Sequence, residues 1–81
     1  MLEVFVAPGC EGCDHARALA QQAVATYGAA RVRVVDISQS ARSLPPEVFA
    51  VPSFRFNGVV VSLGNPTWER LSGLLGGTEP V

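Results

Sequence analysis

An amphipathic helix pattern set between two strand-like runs constrains this chain most. Ala16, Leu19, Ala20, Ala23, Val24 and Tyr27 recur at i, i+3, i+4, i+7, i+8 and i+11, the apolar stripe of one α-helix over 14–27. Gly28 is placed to stop it. Ahead of it, Leu2 to Val6 is a short apolar run closed by Ala7-Pro8-Gly9, which reads as a buried strand. Behind it, Val32 to Ile37 is apolar and β-branched and reads as a second strand. Strand, helix, strand in this order gives a right-handed β-α-β unit with parallel strands.

The second half of the chain is punctuated differently. Pro45-Pro46 interrupts the segment from Ser38 to Ala50. Pro is tolerated at a first helical position, so a short helix is expected near Pro46, with another turn over Gln39 to Ser43. Ser53 to Leu63 reads as a hairpin: Phe54 and Phe56 alternate with polar residues, and Asn57-Gly58 suits a two-residue turn. The unbroken apolarity of Val59, Val60 and Val61 predicts that one hairpin strand is buried on both faces, or nearly so. Asn65 is expected to cap a last helix, with Pro66 at its first position. Trp68, Leu71, Leu74 and Leu75 form the apolar face of that helix, Gly76-Gly77 ends it, and 78–81 is expected to be a loose tail. The order β-α-β-(α)-β-β-α predicts an α/β domain with a four-stranded mixed sheet and helices on both faces. Only one domain, 1–81, fits: 81 residues leave no room for a second core.

Composition excludes several function classes. With 48% apolar and 16% charged residues the chain is not disordered by composition. The net charge is −1, and the six basic residues are scattered arginines, so no basic patch speaks for nucleic acid. No apolar run approaches the ~18 residues of a membrane-spanning helix. Met1-Leu2-Glu3-Val4 lacks the basic segment that opens a secretory signal. The expectation is a cytoplasmic, soluble protein that acts as a monomer.

The chemistry rests on Cys10-Glu11-Gly12-Cys13, at the junction of the first strand and the first helix. Two cysteines cannot build a multi-disulfide framework, and a bridge between them closes a loop too small to constrain the chain much. Paired cysteines in such a setting are more often redox groups or metal ligands than staples. The spacing brings both sulfurs within bonding reach in a first helical turn. Unpaired N–H groups and the positive dipole end of the helix favour a thiolate, the nucleophile of disulfide exchange. Cys10 is therefore expected to be the more exposed, attacking sulfur, and Cys13 the one that resolves a mixed disulfide formed at Cys10. Glu11 and Gly12 between them, and His15 beyond, are placed to tune the pair; a negative charge at Glu11 disfavours a thiolate at Cys10.

Blander readings stand beside this one. The cysteines could be two buried neighbours without chemistry, and His15 a solvated helix residue. A metal site needs more ligands than one C-x-x-C provides: zinc takes four, His15 is a third, and a zinc or iron–sulfur site would require a second chain. Covalent haem attachment needs His directly after the second Cys, where Asp14 stands. Trp68 and the phenylalanines are expected in the core, Asp36 as a cap on the segment after its strand, and Arg55 as a solvated alternate position.

The order strand, C-x-x-C at a helix start, β-α-β, Val51-Pro52-Ser53-Phe54, Asn57-Gly58 hairpin and final helix resembles the thioredoxin superfamily over nearly the whole chain. It is closest in scale to the small thioredoxin/glutaredoxin-like proteins. The resemblance implies a thioredoxin-like fold and a cis Val51–Pro52 peptide facing the cysteines, where a substrate backbone pairs. It also implies dithiol–disulfide oxidoreductase activity with no bound cofactor, disulfide-containing protein substrates, and a reductase or glutathione as electron donor. The sequence departs from the thioredoxin pattern at Gly9 in place of Trp, at Glu11-Gly12 in place of Gly-Pro, and at Val4 in place of a buried Asp. Glutaredoxins carry a Gly-Gly-x-Asp-type glutathione segment after the hairpin; Leu63-Gly64-Asn65-Pro66-Thr67 has one Gly and no Asp. The nearest basic residue to the cysteine pair is Arg17. A glutathione-linked glutaredoxin and a metal or iron–sulfur carrier are the alternative readings.

Overall fold

Strand β1 (Leu2–Val6) is hydrogen-bonded along both edges, and the rest of the chain is arranged around it. In the computed structural model, which describes residues 1–40 and 50–78, α1 (Cys13–Tyr27) follows β1 and leads through a 3-10 turn (Ala29–Arg31) into β2 (Val32–Asp36). A short α2 (Ile37–Ser40), β3 (Ser53–Phe56), β4 (Val59–Leu63) and α3 (Trp68–Leu75) complete the order. The sheet runs β2-β1-β3-β4, with β1 and β2 parallel and both other pairings antiparallel. This is the mixed four-stranded sheet the sequence predicts.

Alternation along β1 divides the interior in two. Leu2, Val4 and Val6 face α1 and α3 and join Cys13, Ala16, Leu19, Ala20, Ala23, Phe54, Leu71, Leu74 and Leu75 in the main core cluster. Tyr27 locks the two helices together: its hydroxyl lies 2.9 Å from Ser72 Oγ, and its ring is 6.4 Å from that of Trp68. On the opposite face Phe5 and Val35 pack with Val60 and with Ile37 of α2, so helices lie on both sides of the sheet. Glu3 also lies on that face. It is the register partner of both Arg33 and Arg55 and accepts hydrogen bonds from them at 3.3 and 2.9 Å. Arg55 is thus an ion-pair partner across the sheet and not the solvated residue the alternation predicts.

Other expectations are refined by tertiary context. The second strand stops at Asp36 because its carboxylate accepts from Ser38 N–H and Ser38 Oγ at 2.9 and 2.7 Å, turning the chain into α2 as a cap should. The Ser38 hydroxyl, then its amide, with Arg17 adding a weaker attraction, hold the Asp36 carboxyl below the usual range against a small opposing effect of burial. Only the start of the Gln39–Ser43 turn coincides with α2; the remainder and the helix placed at Pro46 lie outside the described residues. The valine-rich strand is the edge of the sheet, with Val59 and Leu63 about half exposed. The hairpin strand buried on both faces is β3, because it lies between β1 and β4. The cap of α3 is Thr67, whose Oγ1 accepts from the Arg70 N–H at 3.2 Å, and not Asn65. Asn57 and Gly58 both have positive φ, 51° and 85°, as a two-residue hairpin turn of this kind requires. Gly76 ends α3 as predicted, while Thr78 is tied back to the Gly73 carbonyl at 2.9 Å.

Strand order sets the energetic contrast between the two ends of the chain's second half. Leu71→Ala, at a fully buried site, should lower stability by about 2–5 kcal/mol. Val59→Ala, on the open edge, should cost less than about 1 kcal/mol. Urea denaturation of both variants checks the assignment of β4 as an edge; equal losses would contradict it.

Candidate active site: the dithiol loop

Three loops meet at one end of the sheet, and the strand register brings them there. Phe5 pairs with Ser53, so the start of β3 lies beside the end of β1. Ser53 pairs in turn with Leu63, so the end of β4 lies beside the start of β3. The segment leaving β1 carries the cysteines, the segment entering β3 carries Val51-Pro52, and the segment leaving β4 carries Gly64-Asn65.

Ala7-Pro8-Gly9 brings the chain from the buried end of β1 to the surface, where Pro8 and Gly9 are exposed. Cys10 is half-buried against the core cluster, Glu11 is exposed, and Cys13, the first residue of α1, is 0% exposed. The two sulfurs form a disulfide, with 5.4 Å between the Cα atoms. The Cys13 N–H donates to the Cys10 carbonyl at 3.2 Å. Gly12 is the N-cap of α1: its carbonyl accepts the first helical hydrogen bond, from the Ala16 N–H at 3.0 Å, and no side chain caps the helix. The amide donors of the first turn and the positive end of the helix dipole therefore act on the dithiol loop without competition from a capping side chain. A thiolate in this loop is favoured by that field.

The candidate site residues fall into two groups. Cys10, Cys13, Gly12 and Pro52 are brought together. The Val51–Pro52 peptide is cis, both residues are half-buried, and the buried Ser53 Oγ donates to the Ala50 carbonyl across the turn. A Cβ on Gly12 would stand 3.7 Å from the Pro52 ring, so the dithiol loop and the proline turn are in contact there. Glu11 flanks the disulfide from solvent. His15 is exposed on the first turn of α1, and Arg17, 3.6 Å from Asp14, forms an i,i+3 ion pair. Val4 is fully buried in the core, and Ser53 is the only buried polar residue among the described residues. No group of three or more His, Cys, Asp or Glu side chains able to hold a metal occurs among the described residues.

One residue of the site escapes the sequence reading. Asn65 Nδ2 donates to the Gly12 carbonyl at 3.0 Å. The sequence offers two capping side chains around Pro66, Asn65 and Thr67, and only one can cap α3. Once Thr67 takes that role, Asn65 is left for a tertiary contact.

Among the described residues no helix is long and apolar enough to cross a membrane. A family model described as Thioredoxin domain matches residues 1–76. No curated protein matches the chain. An adjacent cysteine pair joined as a disulfide, within such a domain, supports thiol–disulfide redox function in general terms. By the extent of that match and by its fold, the chain belongs to the thioredoxin-domain family.

Proposed function

We propose that the protein is a dithiol–disulfide oxidoreductase acting on disulfide-containing proteins. The observation that carries this reading is the unequal burial of two bonded cysteines at a helix N-terminus: Cys13 is sealed in the core and Cys10 reaches the surface. The Cys10 thiolate attacks one sulfur of a substrate disulfide. The substrate S–S bond breaks, a Cys10–substrate disulfide forms, and the departing thiolate takes a proton from solvent. Cys13 then gives up its proton and attacks Cys10 Sγ. The mixed disulfide breaks, the Cys10–Cys13 bond forms, and the second substrate sulfur leaves as a thiol. Two electrons pass to the substrate, and they reside on sulfur throughout, so the step needs no cofactor. The substrate backbone pairs strand-like at Val51, which precedes β3 and lies outside its ladder.

The oxidised protein requires an external reductant. A flavin-dependent thioredoxin reductase fits better than glutathione. The segment 63–67 has one Gly and no Asp, and the amide of Asn65 within it is engaged by Gly12.

Exchange of either sulfur separates the roles. Cys10→Ser should abolish reduction of an insulin-type disulfide substrate. Cys13→Ser should still attack and accumulate a mixed disulfide that mass spectrometry detects. Trapping by Cys10→Ser but not by Cys13→Ser would reverse the assignment, and trapping by neither would remove the enzyme reading.

The donor is tested by reducing the oxidised protein with either a thioredoxin reductase and its nucleotide or with glutathione at millimolar concentration. The reductase should be faster. Saturable glutathione binding centred on 51–67 in chemical-shift mapping would make the glutaredoxin reading the better one.

Glu11 sets a smaller effect. A carboxylate ~7 Å from Cys10 in water-like surroundings repels a thiolate by about 0.6 kcal/mol. Glu11→Gln should therefore speed alkylation of reduced Cys10 at neutral pH and low salt by about two- to threefold, with the gain shrinking as salt is added. An unchanged or slower rate would show that Glu11 does not tune the thiol.

A further inference from the structure

Gly12 is enclosed from two directions. A Cβ built on it would lie 3.3 Å from Asn65 Nδ2 and 3.7 and 3.8 Å from Cδ and Cγ of Pro52. Its carbonyl accepts from Asn65 Nδ2 as well as from the Ala16 N–H, each at 3.0 Å. One residue before Asn65, the Gly64 N–H donates to the Pro52 carbonyl at 2.8 Å. The β4–α3 loop therefore holds the proline turn by its backbone and the dithiol loop by the Asn65 side chain. The carbonyl it grips belongs to the same peptide unit as the Cys13 N–H, which donates back to the Cys10 carbonyl at 3.2 Å. Asn65 is itself exposed and is not a member of the core cluster; this is the one hydrogen bond of its side chain among the described residues.

We propose that Asn65 is a positioning residue of the redox site. Its side-chain amide fixes the dithiol loop against the cis-proline turn and thereby biases the Cys10–Cys13 pair toward the disulfide. The inference rests on the reading of the pair as a reversible couple. A loop held in its closed arrangement has already lost the freedom that disulfide formation would otherwise remove. Without the Asn65 bond the reduced loop can spread, whereas the oxidised loop stays closed by its covalent bond. The dithiol therefore gains more than the disulfide does. A single net hydrogen bond corresponds to about two- to tenfold in the equilibrium constant for closure.

The test is a titration of the full chain in buffers of reduced and oxidised glutathione. Protein dithiol and glutathione disulfide yield protein disulfide and two glutathione thiols, so two electrons and two protons pass from Cys10 and Cys13 to glutathione. The two protein forms are counted by mass after acid quench and alkylation. Asn65→Ala, and Asn65→Leu, which keeps the side chain's bulk without its donor, should both move the equilibrium toward the dithiol by about two- to tenfold. Gly12→Ala, whose added methyl crowds Asn65 Nδ2, should move it the same way. Thr67→Ala is the control: it removes the α3 cap in the same loop, lowers stability by about 1 kcal/mol, and leaves the redox equilibrium at the parent value. Asn65 variants that titrate like a normally titrating parent would overturn the positioning role alone. A shift of equal size in Thr67→Ala would overturn it too, by reducing the effect to general loop stability. A parent that shows no reversible couple would instead overturn the proposed oxidoreductase function and this inference with it.

Discussion

The sulfur of Cys13 belongs to the hydrophobic core, and the geometry of the site follows from that burial. It sits at the first residue of α1 and is a member of the main core cluster, with no surface exposed. The disulfide therefore runs from the core to the surface, where Cys10 is its only accessible end. Burial in apolar surroundings opposes ionisation of a thiol, while the helix N-terminus favours it. Two sulfurs three residues apart are thus placed in different environments by nothing more than where the helix begins. Val4, six residues before Cys10, is apolar and fully buried, so its side chain offers Cys13 no proton acceptor.

Sheet register supplies the remainder of the site. A shift of one residue between β1 and β3 would carry Pro52 away from the dithiol loop and turn every side chain of β3 to the other face. That register is held on both faces at once. Phe54 lies opposite Val4 in the main core, and Arg55 lies opposite Glu3, which also holds Arg33. Glu3 and Arg55 are largely covered and only Arg33 is exposed, and surface ion pairs are worth only about 0.2–1 kcal/mol each. Spanning three strands at matched positions, this one opposes slippage instead. The β3–β4 pairing, with Ser53 opposite Leu63, brings Gly64 and Asn65 beside the proline turn, so that pairing decided far along the hairpin determines what touches Gly12.

Most of the fold is legible in the sequence because its signals are local. The 14–27 stripe, the Pro8-Gly9 break and the Asn57-Gly58 turn each state a periodicity or a backbone angle that no partner is needed to read. The cysteine pair is legible for the same reason: its spacing and its position at a strand–helix junction are properties of a short segment. What the sequence hides depends on strand order or on a choice between equals. Val59 to Val61 is as apolar as a buried strand, yet it lies at the edge because β3, not β4, pairs with β1. Arg55 looks like a solvated alternate until its register partner is known. Asn65 and Thr67 compete for one cap, and only the tertiary contact to Gly12 shows which of them is released.

On the proposed function, the reduced protein presents one reactive sulfur and conceals the other. Limited alkylation tests it directly. The natively folded, fully reduced chain is given less than one equivalent of iodoacetamide, quenched and mapped by peptide mass. Label should appear on Cys10 almost alone, with Cys13 reacting only after denaturation. Label found first on Cys13, or divided evenly between the two, would contradict the account.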